Sequence, residues 1–149
     1  MKLKIISSGP QETQTIGKLF VQDIVQKTPP SKTAVVVSLE GDLGSGKTEF
    51  LKGVAKGLGI KERITSPTFV IMRQFPLSGK KFRFLWHIDC YRVSASDLSN
   101  LFWEEICHNP HNLVFIEWGN KVHNLLPSSY WKVKLKVLGE KERLLTIEI

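Results

Sequence analysis

The sequence has little cysteine: Cys90 and Cys107 are two among 149 residues. That is too few for a disulfide scaffold or a cysteine-rich zinc site, and a cytoplasmic chain with reduced thiols is expected. There is no apolar run near the roughly 18 residues that a membrane span needs, so no membrane partner is expected. The start, Met1–Ile6, turns polar at Ser7-Ser8-Gly9-Pro10 and is read as lacking a secretory core. Repeats, low-complexity tracts and linkers are also missing, which excludes a collagen or coiled-coil rod. His87, His108, His111 and His123 have no metal-ligand spacing, and Pro110 argues against a helix holding His108 and His111 together.

What is present is an ordinary globular composition, with 42% hydrophobic and 23% charged residues. One domain over residues 1–149 is expected, long enough to bury about 68–70% of its unfolded surface. The 21 Lys and Arg outnumber the 14 Asp and Glu, for a net charge of +7. Such a surface suits RNA, DNA or a nucleotide, or simply keeps a small protein soluble.

Apolar spacing predicts a helix over 11–27, carried by Ile16, Leu19, Phe20 and Ile24 and ended by Pro29-Pro30. Ala34–Leu39 is a β-branched run of the kind buried on both sheet faces. A helix over 47–58 follows, stopped by Gly59. Thr68–Phe75 and Phe82–Ile88 read as an antiparallel hairpin around Pro76–Gly79. A helix is expected over 95–107, capped by Ser94 or Ser96, and a buried strand at Leu113–Ile116. A second hairpin pairs Trp131–Val137 with Leu145–Ile149 about Gly139. The expected architecture is an α/β, P-loop NTPase-like mixed sheet with flanking helices.

The strongest motif is Gly41-Asp42-Leu43-Gly44-Ser45-Gly46-Lys47-Thr48, which fits G-x-x-x-x-G-K-[ST] at every fixed position. With glycine near ~7% of residues, such a match arises by chance in about one chain of this length in two hundred. The context is also right, with a buried strand before it and a helix after it. The glycines permit turns and close approach, and consecutive N–H groups at a helix start face phosphate oxygens. Lys47 adds a point charge, and the Thr48 hydroxyl is suited to Mg²⁺. Nucleotide binding is therefore expected.

A P-loop enzyme needs a carboxylate near the metal at the end of a neighbouring strand. Glu117 closes one apolar run and Asp89 another. Either can hold Mg²⁺, with the other orienting water or acting as general base. The residues alone leave the two roles open.

Beside the loop stand Thr65-Ser66-Pro67-Thr68-Phe69, His87-Ile88-Asp89-Cys90-Tyr91-Arg92, Ile116-Glu117-Trp118 and Leu126-Pro127. In order and spacing these pieces resemble the bacterial ATPase family of tRNA threonylcarbamoyladenosine synthesis, TsaE or YjeE, over nearly the whole chain. The resemblance implies an ATPase with Mg²⁺ that works with TsaB and the catalytic subunit TsaD. That complex attaches threonylcarbamoyl to the adenosine next to the anticodon in tRNAs reading codons that begin with A. The ATPase does not form the carbamoyl bond; it serves repeated turnover, and tRNA is met through the complex. By resemblance Thr48 and Glu117 bind Mg²⁺, Asp89 supports catalysis, and Trp118 lies near the nucleotide; with Lys47 from the loop, Asp89 and Glu117 are the expected catalytic residues. Thr65, Ser66, Pro67 and Thr68 resemble a switch, and Glu12-Thr13, with Gly17 following, an element near the base. Ile88, Cys90 and Trp103 depart from the family pattern at positions that concern packing more than phosphate chemistry.

Two other readings are a small-molecule or nucleoside kinase and a nucleotide-gated binding module. A kinase needs an arginine-bearing lid, whereas the five arginines, Arg63, Arg73, Arg83, Arg92 and Arg143, are scattered. Lys132, Lys134 and Lys136 share one strand face. That face is read first as a solvated edge protected by lysine and second as a tRNA phosphate track.

Overall fold

The computed structural model describes residues 1–65 and 72–149. Of the expected switch, Thr65 is described and exposed, whereas Ser66, Pro67 and Thr68 lie outside the described residues. The described residues hold seven strands in one mixed sheet. In chain order the elements are β1 (Lys2–Ser7), α1 (Pro10–Lys27), β2 (Val35–Glu40), α2 (Lys47–Gly57), β3 (Met72–Pro76), β4 (Phe84–Asp89), α3 (Ala95–Ser99), α4 (Trp103–Cys107) and β5 (Asn112–Glu117). A 3-10 turn at Gly119–Leu125 leads to β6 (Trp131–Val137) and β7 (Arg143–Glu148).

The strand order is β1-β7-β6-β2-β5-β4-β3. Strand β2 lies parallel to both β5 and β6, and β4 lies parallel to β5. Strands β3, β7 and β1 are antiparallel to their neighbours. The β-branched run Val35-Val36-Val37 accounts for the place of β2 at the centre. Val37 and Leu39 face one layer, with α1 and α2, while Val36 faces a second layer with α3 and α4.

Two glycines set the crossing of α1 over α2. A Cβ on Gly53 would stand 1.9 Å from the Gln14 carbonyl oxygen, and one on Gly17 would stand 2.2 Å from that of Phe50. Backbone therefore rests on backbone, and Phe20 meets Phe50 with ring centroids 5.6 Å apart. The contact brings the first turn of α1 beside the start of α2.

The structure departs from three expectations. The segment Lys2–Ser7, which carries no strand expectation, forms β1 and pairs with β7. The helix expected over 95–107 is two short helices, broken where Phe102 takes φ 62°. Ser94 does cap α3, through a capping box with Asp97. A left-handed residue costs about 1–2 kcal/mol. The break lets Leu98, Trp103 and Ile106 all turn inward, and each buried apolar side chain contributes about 1.5–3 kcal/mol. The Trp103 indole also donates to the Leu125 carbonyl at 2.9 Å. Finally, β6 is an interior strand between β2 and β7, so its lysines do not protect an edge. Ile88, Cys90 and Trp103 are all buried in the second layer, as the packing reading expected.

Gly53→Ala gains about 1 kcal/mol of helix propensity but forces the helices apart, for an expected net loss of about 1–3 kcal/mol in urea unfolding. Gly17→Ala is expected to behave alike. The double variant should lose less than the sum, because one separation relieves both contacts.

Candidate active site

The loop after β2 leaves the carboxyl ends of the parallel strands, where open α/β sheets place their ligand crevice. Gly41, Gly44 and Gly46 all have positive φ. At Gly41 an added Cβ would lie 2.6 Å from the Leu135 carbonyl oxygen, so β6 presses the loop into its turn. Asp42, Leu43 and Gly44 form the exposed outer part of the loop. The Ser45 hydroxyl is buried and has no hydrogen-bond partner among the described residues. An unpartnered buried hydroxyl two residues before a helix start fits an oxyanion such as phosphate.

Lys47 opens α2 and is buried. Its ammonium donates to the Gly41 carbonyl and, at 3.5 Å, to that of Asp42. It sits 4.1 Å from the centroid of the Trp118 ring. Burial lowers the Lys47 pKa, and the charges of Glu117, Asp89 and Asp42 oppose that fall. The cation is thus kept by acids rather than by water. Thr48, the next residue, is half-buried in the first turn of α2.

The two acids meet as the strand register dictates. Leu39 of β2 pairs with Glu117 of β5, and Glu117 pairs with Asp89 of β4. The strand ends are tied further: Cys90 N–H donates to the Glu117 carbonyl at 3.0 Å, and Trp118 N–H to that of Leu39 at 3.1 Å. Asp89 accepts from Tyr91 N–H at 2.9 Å. Burial raises the Asp89 pKa and Glu117 adds to the rise, while the Tyr91 N–H, His87 and Lys47 hold it back. Burial, with Asp89 beside it, pushes the Cys90 thiol up to about 12, which makes it an unreactive filler.

Sequence reasoning set His87 aside because it found no metal pattern. The structure places its Nε2 2.7 Å from Glu117 Oε2, with both side chains almost fully buried. His87 is the register partner of Phe115, so it reaches Glu117 diagonally across the ladder. An ionised carboxylate only accepts, so Nε2 carries the proton in that state. His87 Nδ1 then has no partner among the described residues. The signal was available: His87 and Asp89 alternate on one strand face.

Trp118 directly follows Glu117, and strand alternation would turn the two to opposite faces. Instead the strand ends at Glu117, and Trp118 takes φ 61° and lays its ring over Lys47 and against Tyr91, 5.0 Å between centroids. Thr13 is buried beside the loop, its methyl 4.0 Å from where a Cβ on Gly46 would stand. Its hydroxyl is shared with Ser7 at 2.7 Å. Arg143, absent from the expected site, reaches from β7 to the Gly44 carbonyl at 3.3 Å. Ninety-nine residues separate that pair in sequence, so only the sheet order brings them together. Arg92 is exposed.

Two outcomes follow for the chain without ligand. Folded molecules hold the Asp89 proton to higher pH than unfolded ones, so stability falls as pH rises through that interval. Asp89→Asn keeps an acceptor for Tyr91 and should melt higher than the parent at neutral pH. The gap should close below about pH 3, where both states carry the proton. A gap that persists there in thermal melts contradicts the buried-carboxylate account. His87→Leu leaves the Glu117 carboxylate buried without its donor and should cost at least about 1–3 kcal/mol. His87→Gln returns an N–H donor and should recover much of that loss in urea unfolding.

With this geometry in place, known proteins can be set beside it. The family model described as "Threonylcarbamoyl adenosine biosynthesis protein TsaE" matches residues 7–145. A Bacillus subtilis protein named tRNA threonylcarbamoyladenosine biosynthesis protein TsaE is 34% identical over 145 residues, covering 97% of this chain and 84% of its own. A Treponema pallidum protein of the same name is 40% identical over 113 residues, covering 75% and 80%. The crystal structure of Bacillus subtilis YdiB superposes with a TM-score of 0.74 at 33% identity, over 99% of this chain and 84% of that one. The P-loop architecture, the strand-end acids and this likeness along the chain agree: the protein belongs to the TsaE family.

Proposed function

We propose that the chain is an ATP-binding and ATP-hydrolysing accessory subunit in threonylcarbamoyl modification of the adenosine next to the anticodon. Its tRNAs are those reading codons that begin with A, and its partners are TsaB and TsaD. The observation that carries the ATPase reading is the meeting of the Gly41–Thr48 loop with Glu117 and Asp89 at three adjacent strand ends. The tRNA pathway comes from the names of the relatives.

In this reading the loop N–H groups and the Ser45 hydroxyl receive the phosphates. Lys47 exchanges the Gly41 carbonyl for phosphate oxygens, a gain because the ammonium then faces a full negative charge rather than a carbonyl dipole. Thr48 and Glu117 would hold Mg²⁺, which when bound neutralises charge on the β- and γ-phosphates. Among the described residues no cluster of three His, Cys, Asp or Glu is arranged for a metal. A phosphate-associated magnesium needs only one or two protein ligands, so the donor set is sufficient. His87 holds the Glu117 carboxylate in orientation. Asp89, half-buried and reluctant to ionise, is the group suited to position the attacking water and take its proton. Trp118 covers Lys47 from solvent. Thr65 to Thr68 are proposed to respond to the γ-phosphate. Hydrolysis then changes docking on the partner pair and resets it.

The test is phosphate release from ATP by the purified chain, alone and with TsaB, TsaD and tRNA. Low intrinsic release, stimulated by the partners, is expected. Glu117→Gln, which keeps the volume beside His87, should abolish the stimulation. Lys47→Ala should weaken ATP binding by at least about tenfold, the loss of one charge-assisted hydrogen bond. Transfer to a small-molecule acceptor in place of release would establish the kinase reading. Full function in Glu117→Gln would establish the nucleotide-gated module.

A further inference from the structure

The sheet is covered unevenly. Strands β2, β5 and β4 are packed on both faces. Strands β6, β7 and β1 pack Val133, Leu135, Leu145 and Ile147, with the partly buried Trp131 and Ile5, against the α1–α2 layer. Their other face is largely open to solvent. Cross-strand register shows what it carries. One row holds Lys2, Glu148 and Lys132, the next Lys4, Thr146 and Lys134, and the third Ile6, Leu144 and Lys136. Five ammonium groups thus share one face with Glu148, and Glu40 of β2 adjoins Lys134.

Fold stability does not account for this arrangement. Glu148 lies 3.5 Å from Lys2 and 3.8 Å from Lys134. Such partly exposed pairs contribute at most about 1 kcal/mol each. Lys4, Lys132 and Lys136 have no acid within salt-bridge distance among the described residues. Like charges on neighbouring sheet positions repel. Protection of an edge does not explain β6, which is interior. At one end of the face Lys2, Ser128, Tyr130 and Lys132 line a cleft together with the acid Glu148. Lys132 Nζ lies 5.7 Å from the Tyr130 ring centroid. Cations over an open sheet with an aromatic ring at its margin are the parts of a surface that holds a phosphate backbone and stacks a base.

We propose that the open face of β1, β7 and β6 is an RNA-binding surface that takes the phosphate backbone of tRNA. The charge pattern points to a polyanion, and the choice of tRNA rests on the proposed pathway. The surface runs along the strands, and the phosphate loop stands at its carboxyl end, where β6 meets Gly41 through Leu135.

Fluorescence anisotropy with an unmodified tRNA transcript tests this on the full chain without partners. The triple variant Lys132→Glu, Lys134→Glu, Lys136→Glu should bind at least about tenfold more weakly. Its log affinity against log salt should be shallower by about two to three, near 0.7–0.9 per lost phosphate contact. A control of equal charge change, Lys18→Glu, Lys61→Glu, Lys80→Glu, should shift affinity far less. Tyr130→Ala should weaken tRNA binding without changing the salt slope. Thermal melts confirm that each variant is folded, and ATP affinity read in the same samples should match the parent. An equal loss in the control means net charge alone, and overturns the surface. Unchanged tRNA binding in the Lys132–Lys136 variant, with loss of TsaB–TsaD association instead, means an acidic protein occupies the face and also overturns it. A parent that binds tRNA but no ATP would end the ATPase reading and leave the RNA surface standing.

Discussion

Parallel pairing of β4, β5 and β2 is the constraint on which the rest of the site depends. The three strands end level, because Leu39 pairs with Glu117 and Glu117 with Asp89. A slip of one residue on β5 would turn Glu117 to the other face of the sheet, since strand side chains alternate. Side-chain size and the polar ends oppose the slip: Leu113 and Phe115 fill the α1–α2 side and Val114 and Ile116 the other, while Asn112 donates to the Ile106 carbonyl and Glu117 meets His87. The core thus aims the acid. Two further backbone bonds, from Cys90 and Trp118, pin the ends so that the loop of β2 and the acids share one floor.

That floor concentrates charge where burial makes charge costly. Lys47 is lowered by burial and held up by acids, while Asp89 is raised by the same burial. His87 is spent on Glu117, leaving its own Nδ1 unpartnered, and Ser45 keeps an idle hydroxyl. Trp118 is left-handed at a cost of about 1–2 kcal/mol. Among the described residues, Ser45, Lys47, His87, Asp89 and Trp118 all belong to the loop, the strand ends or the turn beyond them, while the left-handed Phe102 and the unpartnered Trp86 Nε1 and Asn112 Oδ1 lie elsewhere. Such clustering is what a site preorganised for an anionic ligand should look like, since strain and unpaired polar groups are tolerated where they serve binding.

How much of this was legible depends on how local its cause is. The phosphate loop, its glycines and Lys47 follow from consecutive residues, and Asp89 and Glu117 from apolar runs ending in acids. The central strands and both hairpins were visible through β-branched runs and alternation. What the sequence hid depends on distant partners. The break at Phe102 exists because Trp103 seeks Leu125, and no local breaker marks it. His87 gains a role only through the register of β4 on β5. Arg143 touches Gly44 through a strand order that hydropathy does not encode. The edge reading of Lys132–Lys136 failed for the same reason, as β1 was not recognised and supplies the true edge beyond β7.

The two halves of the sheet obey different rules. Parallel strands linked by helices need cover on both faces, so β2, β5 and β4 are mainly apolar and carry their acids at their ends, with Ser38 and His87 the polar residues just before them. A ligand site there has to be terminal. Antiparallel strands tolerate water on one face, so β6 and β7 alternate and can carry a full row of cations along their length. A site on that half can be extended. A single small sheet can therefore offer a compact crevice for a nucleotide and a broad cationic plane, and the switch from parallel to antiparallel pairing past β6 separates them. The same α1–α2 layer supports both, with Gly17 and Gly53 bringing α1 close over the loop helix while Leu145 and Ile147 anchor the open half from beneath. Coupling between the two surfaces has to pass through β6, which pairs with β2 at Glu40 and presses its Leu135 carbonyl on Gly41.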